Sequence, residues 1–253
     1  MRAAAWAIGV TGAAGGVAAW VRYLARRQHH WRGLLSDAIP VNSSFWREQA
    51  ARPPRERELL YVAIGDSAAQ GIGASRPSHS YVGFIARHVR ESTGRPVHVV
   101  NLAISGARVR EALDRELPAF EKRVGGPDAR LPDLVTVCIG ANDIADFDAA
   151  RFDAEIRSLL TSVARLAPQA IVADLPSFYF LPGEKKVRVA NGLLRAAAAD
   201  AGLEVVPLHD LTDRQGLWGV TTQFAGDLFH PNDRGYRIWA DAFRPAVDRR
   251  LAS

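Results

Sequence analysis

At 253 residues, 48% hydrophobic and 23% charged, the chain is long enough for one sizeable domain, and its composition excludes a disordered, collagen-like or disulfide-dense protein. Its net charge of +5 would suit a polyanion partner, but residues 1–58 carry nine arginines against four acids and account for all of it. The rest is neutral, which argues against nucleic acid as a partner, and the single cysteine excludes an internal disulfide or a thiolate metal cluster.

Residues 3–21, AAAWAIGVTGAAGGVAAWV, are uncharged and lie between Arg2 and the cluster Arg22, Arg26, Arg27. As a helix they would span roughly 28 Å, close to the hydrocarbon thickness of a bilayer. Trp6 and Trp20 would sit near the two interfaces. Residues 1–27 are therefore expected to form a retained single-pass anchor that associates the protein with a membrane. A cleaved signal peptide, with a small-residue site at Val17-Ala18-Ala19, and an irregular soluble extension are the alternatives. The flanking arginines are denser on the C-terminal side. A retained helix would thus leave the body in the cytoplasm, whereas a cleaved signal would export it. The side of the membrane stays open.

Residues 28–58 read as a connector. The stretch Ile39-Pro40-Val41-Asn42-Ser43-Ser44 is turn-like, Ser43 or Ser44 could cap a short helix, and Pro53-Pro54 would stop it.

From residue 59 the pattern becomes regular. Short apolar runs at 59–64, 97–102, 134–139, 170–173 and 204–208 read as strands. Amphipathic stretches around 80–92, 107–116, 151–166, 185–201 and 234–251 read as helices between them. Such alternation predicts a parallel sheet of about five strands, covered on both faces, in one α/β domain over residues 59–253. Cys138, inside the third run, is expected to be a buried small hydrophobe.

Working groups in such sheets gather at the carboxyl ends of the strands. There the sequence places Gly65-Asp66-Ser67, Ser105-Gly106 and Gly140-Ala141-Asn142-Asp143, joined by Asp227-Leu228-Phe229-His230 before the last helix. Each segment alone could be a cap or a turn. Together they supply every requirement of acyl transfer. Ser67 would be the nucleophile, and His230 the base, since imidazole exchanges a proton near neutral pH. Asp227 would orient His230. The N–H groups of Ser67 and Gly106, with the Asn142 amide, would receive the negative charge on the substrate oxygen.

These four ordered blocks resemble those of the SGNH (GDSL-type) hydrolases, and the resemblance covers most of residues 59–253. It implies a flavodoxin-like, three-layer α/β/α fold and a Ser-His-Asp esterase or lipase site that needs no cofactor and no metal. Ala68-Ala69 depart from the bulkier Leu that many members carry after the serine. An acyltransferase would use the same residues. A catalytically silent binding module at the membrane is the alternative from another class.

Rival motifs are incomplete. Ala69 stands where the α/β-hydrolase elbow needs Gly, and Gly71-x-Gly73 lacks the third Gly of a dinucleotide fingerprint. His209-Asp210 is the only other adjacent His–acid pair, and Lys185, Lys186 and Arg188 read as a solvated helix face. Phe178 and Phe180, which follow the fourth strand, could form an apolar lip for an acyl chain or fold back onto the core.

Overall fold

Seven buried residues, Leu59–Gly65, form β1 near the middle of the sheet in the computed structural model. The structure describes residues 22, 26–27, 30–31, 33–53, 55–125, 130–180 and 183–252. The remaining strands are β2 (Val97–Asn101), β3 (Leu134–Cys138), β4 (Ile171–Ala173) and β5 (Glu204–Val206). They pair in parallel in the order β2-β1-β3-β4-β5, so the five expected strands and their arrangement are borne out.

The helices are α1 (residues 33–51), α2 (Ser67–Gln70), α3 (Tyr81–Thr93), α4 (Val109–Glu111) and α5 (Leu117–Gly125). They continue with α6 (Ala149–Leu166), α7 (Glu184–Asp200), α8 (Leu208–Asp213), α9 (Gly216–Thr222) and α10 (Asp233–Ala252). Strand side chains alternate between two cores, as the period of two demands. Val62, Ile64 and Val137 pack with Phe120, Ile156 and Leu194 from α5, α6 and α7. Tyr61, Ala63 and Cys138 face Tyr81 and Ile85 of α3 and Phe243 of α10. The result is three layers, α/β/α. From β1 the chain runs to β2 on one side, then crosses to β3 on the other. That reversal opens a crevice at the carboxyl end of β1, where Ser67 stands.

The structure differs from the sequence reading in three respects. The stretch read as a connector is largely one helix, α1, which runs through the turn-like residues 39–44 and ends at residue 51, before Pro53. Local turn propensity is overridden by packing. Leu35, Ala38, Asn42 and Trp46 lie on one stripe at helical spacing. Leu35 and Ala38 join a small cluster with Ile72 and Ala225, while Trp46 enters the core beside α3. Asn42 Nδ2 and Trp46 Nε1 both donate to the Gln70 carbonyl, at 2.9 and 3.0 Å. The second difference lies in the helix expected over 107–116, which continues to Gly125 through a π turn, Ala112–Glu116. In that wider turn Leu117 N–H bonds Ala112 O, and the missing N–H of Pro118 costs little so near the start of α5. Third, α8 and α9 were not foreseen.

Residues 3–21, which carry the anchor expectation, lie outside the described residues. Among the described residues no helix is long and apolar enough to cross a membrane.

The packing of α1 has a measurable consequence. Trp46 is 4% exposed, so Trp46→Ala should destabilise the whole protein by about 3–5 kcal/mol, as large-to-small core substitutions do. Chemical denaturation followed by far-UV circular dichroism checks this. A loss below about 1 kcal/mol would show that α1 is dispensable to the fold.

Candidate active site

The turn after β1 presents Ser67. Asp66, in an extended conformation, caps α2 by accepting the Ala68 N–H at 2.9 Å, and Ser67 is the first helical residue. Its Oγ lies 2.9 Å from His230 Nε2. His230 Nδ1 lies 2.7 Å from Asp227 Oδ2. With the Nδ1 proton donated to the carboxylate, Nε2 is an acceptor and the Ser67 hydroxyl donates to it.

The short spacing of Asp227 and His230 explains how the pair is held. Asp227 Oδ1 accepts the backbone N–H groups of Phe229 and His230, each at 3.1 Å, closing a tight turn. Leu228, inside that turn, has φ of 57°, a conformation that a Leu adopts only where its surroundings impose it. Burial alone would push the Asp227 carboxyl up. The hydrogen bond and charge of His230 and the two backbone N–H groups outweigh it and hold the group below its ordinary value. Gly73 brings the neighbouring loop against the turn. It sits at φ of +95°, and a Cβ there would lie 2.5 Å from Pro231 O and 2.9 Å from His230 Cβ.

Gly106 has φ of +82°, and a Cβ there would meet nothing within 4 Å, so the space before it is open. Asn142 lies in a 3-10 helix, Ala141–Asp146, just past β3. Its Nδ2 donates to Ala107 O at 2.9 Å and makes a long contact, 3.5 Å, with Asp66 Oδ2. One amide hydrogen thus fixes the side chain, and the other is weakly engaged. Asp143 ties the same segment down by accepting the Val109 N–H at 3.1 Å.

Two cavities meet at Ser67 and His230. One is narrow and apolar, lined by Cys138, Ile139, Leu175, Phe178, Phe229 and Trp239 among others. The second is more open and holds Gly106 and Asn142 together with Leu35, Ser36 and Ile39 of α1. Phe178 therefore lines the site, its ring 6.2 Å from that of Phe229. Phe180 does not. It is 66% exposed, because the chain turns outward at Tyr179, whose φ is 57°. Cys138 is buried as expected and forms part of the narrow cavity's wall.

The sequence reading missed Phe229 and the α1 residues. It also missed the brace under Phe178, in which Glu184 Oε2 accepts the Phe178 N–H at 2.8 Å and Thr212 Oγ1 accepts the Ser177 N–H at 2.8 Å. His209 belongs to this brace. Its Nε2 is 3.0 Å from Glu184 Oε1, closer than the 3.5 Å to Asp210 that sequence adjacency suggested. Arg188 pairs with Glu184 at 2.8 Å, while Lys185 and Lys186 stay exposed as expected.

A second Ser/His/Asp trio, Ser75, His79 and Asp233, is wired differently. Both Ser75 and Asp233 approach His79 Nδ1, at 3.1 and 2.7 Å, and Arg76 Nε donates to His79 Nε2 at 2.7 Å. With its other nitrogen occupied by a guanidinium, that imidazole cannot relay a proton from serine to carboxylate. It latches the loop to the start of α10.

Residues 63–238 match the model of the GDSL-like lipase/acylhydrolase family. The chain belongs to this family. That family is one of lipases and acylhydrolases. It is similar to the GDSL-like esterase Rv1075c of Mycobacterium tuberculosis, with 28% identity over 209 residues, 77% of this chain and 64% of that protein, so the match spans just under two thirds of that relative. It is also similar to a lipase of Streptomyces rimosus, 28% identical over 80% of this chain and 84% of the lipase. Among solved structures, LAE5 from the metagenome of Lake Arreo shares the fold, with a TM-score of 0.61, 24% identity and coverage of 77% of this chain and 97% of LAE5. The acetylxylan esterase Axe2 of Geobacillus stearothermophilus does so too, with a TM-score of 0.58, 21% identity and coverage of 75% and 94%.

Two residues before Ser67, at the end of β1, the Gly65 N–H donates to a buried carboxyl, Glu116 Oε2, at 2.9 Å. Burial, aided by the charge of Asp66 and opposed by the Gly65 N–H, pushes Glu116 up to about 8. Unfolded, it would release its proton near 4.5. Between those values the native state binds more protons, so stability falls as pH rises. Asp66 and Asp143, each pushed up to about 6 by burial, act in the same direction at lower pH. We expect a fall on the order of 1 kcal/mol per pH unit between about pH 6.5 and 8, and a much shallower one in Glu116→Gln, which keeps an acceptor for Gly65. Urea midpoints across that range check it. An equal slope in both proteins would assign the proton elsewhere.

Proposed function

We propose that the protein hydrolyses carboxylic esters through an acyl-enzyme on Ser67. The proton relay carries this reading, with Ser67 Oγ 2.9 Å from His230 Nε2 and His230 Nδ1 2.7 Å from Asp227. In the first step Ser67 Oγ bonds to the ester carbonyl carbon while His230 takes the hydroxyl proton. The carbonyl oxygen gains charge beside the Ser67 and Gly106 N–H groups and the Asn142 amide. His230 then returns the proton to the departing alcohol oxygen as its bond to carbon breaks. Water repeats the cycle, freeing the acid and restoring Ser67.

A fluorophosphonate probe tests the assignment directly. Covalent labelling of wild type, and none of Ser67→Ala, is the expected result. A folded wild type that takes no label would favour a silent binding module.

The apolar lining of the narrow cavity suits an apolar acyl chain, which favours lipase-like over acetylated-sugar substrates. Phe178→Ala should therefore shift the preferred chain length. Phe180→Ala should leave it unchanged, since Phe180 is exposed. A profile of 4-nitrophenyl esters reads both, and an unchanged Phe178→Ala profile would remove Phe178 from the acyl site.

Attachment to a membrane through residues 3–21 is part of the same proposal and rests on their sequence. Fractionation of cells carrying the full chain, or one starting at residue 28, tests it. Equal recovery of both in the soluble fraction would discard the anchor.

A further inference from the structure

We propose that α1 is the wall against which the alcohol part of the ester lies, and that Ile39 selects that alcohol, with Leu35 behind it. The inference rests on the ester-hydrolase reading of Ser67. Three observations carry it.

First, α1 lies outside residues 63–238, the span matched by the family, yet Leu35, Ser36 and Ile39 line the same cavity as Ser67, Gly106, Asn142 and His230. This wall is added to the site by the chain's own N-terminal region.

Second, the two cavities differ in what chemistry each can serve. The acyl group must stay in place while the alcohol departs and water enters. The narrow cavity, closed by Cys138, Ile139, Leu175 and Trp239, suits the group that stays. The more open cavity beside α1 suits the group that leaves. Its walls are apolar at Leu35, Ile39, Ile72 and Phe229, and polar at Ser36 and Ser105. It therefore fits an alcohol with an apolar body larger than ethanol.

Third, α1 is fastened to the catalytic loops and does not merely rest on them. Asn42 and Trp46 hold the Gln70 carbonyl. The Gln70 side chain donates to Ala103 O at 2.6 Å and to Ser43 Oγ at 3.3 Å, and accepts from Ser105 Oγ at 2.8 Å. The helix wall and the Ser105-Gly106 segment thus share one hinge-pin, which fixes the cavity's width.

Ile39 is 37% exposed, so the helix tolerates both a smaller and a larger side chain there. The experiment compares wild type, Ile39→Ala and Ile39→Trp. It measures kcat/KM for naphthyl butyrate relative to ethyl butyrate, then for ethyl octanoate relative to ethyl butyrate. We expect the alcohol ratio to rise in Ile39→Ala and fall in Ile39→Trp, with the two variants differing by about tenfold or more. The acyl ratio should stay within about twofold. An alcohol ratio that does not move, or moves the same way in both variants, overturns the proposal. So does an acyl ratio that moves in opposite directions in its place, since that reverses the two cavities. Fluorophosphonate labelling of Ser67 in all three proteins separates this failure from that of the ester-hydrolase reading. Labelled proteins with unmoved ratios sink only the α1 wall, whereas an unlabelled folded wild type sinks both.

Discussion

Ser67→Ala is expected to lower kcat on a preferred ester by about 10³- to 10⁶-fold, with KM little changed. The size follows from what is removed. Only Oγ can form the bond to the carbonyl carbon, while the Gly106 and Asn142 donors and both cavities stay in place. Residual turnover above the uncatalysed rate is therefore expected from binding and charge stabilisation alone. The protein should fold normally. Ser67 contributes one hydrogen bond, to His230, worth about 1 kcal/mol, and Ala is at home in the first turn of α2. Ser75→Ala is the matched control. It breaks a Ser/His/Asp trio whose imidazole is already occupied by Arg76, and activity should persist. Turnover in Ser67→Ala within about tenfold of wild type would mean that the nucleophile lies elsewhere.

The legibility of this site in the sequence has a physical basis. β1 and β3 are fully buried and so read as mostly apolar runs, and the groups that follow them must lie at one sheet edge. That rule directed attention to the segments of Ser67, Gly106 and Asn142, and the needs of acyl transfer and the family resemblance suggested their roles. Asp227 and His230 were read from the segment before the last helix, as an imidazole with a carboxylate three residues earlier; that the same carboxylate also caps the turn shows only in the structure. What could not be read depends on contacts distant in sequence. Residues 39–44 carry Pro, Asn and two Ser, all turn formers, and only the seating of Leu35 and Trp46 against Ile72 and the α3 core makes them helical. The outward course of Phe180 is set by the backbone at Tyr179 and by Glu184 and Thr212 beneath Ser177 and Phe178. No local pattern distinguishes it from Phe178, two residues earlier.

The proposed role of Asp227 in the relay is separable from its role in the turn, and Asp227→Asn separates them. Asn retains an oxygen able to accept the Phe229 and His230 N–H groups, so the turn should survive. Its amide, however, presents hydrogens where the carboxylate presented a lone pair. Facing Nδ1 at the position of Oδ2, an N–H would require Nδ1 to be the acceptor and would drive the imidazole proton to Nε2. Nε2 would then donate toward Ser67 Oγ and could no longer take its proton. A loss of about 10⁴ in kcat is expected, with kcat/KM falling alike because the interaction is made in the transition state. The carboxylate is held below its ordinary value in the native protein, so wild type keeps the ionised partner well into the acid range. Asp227→Ala frees Nδ1 from either constraint but removes the cap on the turn, so it should lose stability where Asn does not. The informative result is the pair of measurements. A near-native melting temperature with collapsed kcat in Asp227→Asn assigns the carboxylate to the proton relay. Retained kcat in that variant would reduce Asp227 to a turn-forming residue and leave His230 to be oriented by the turn alone.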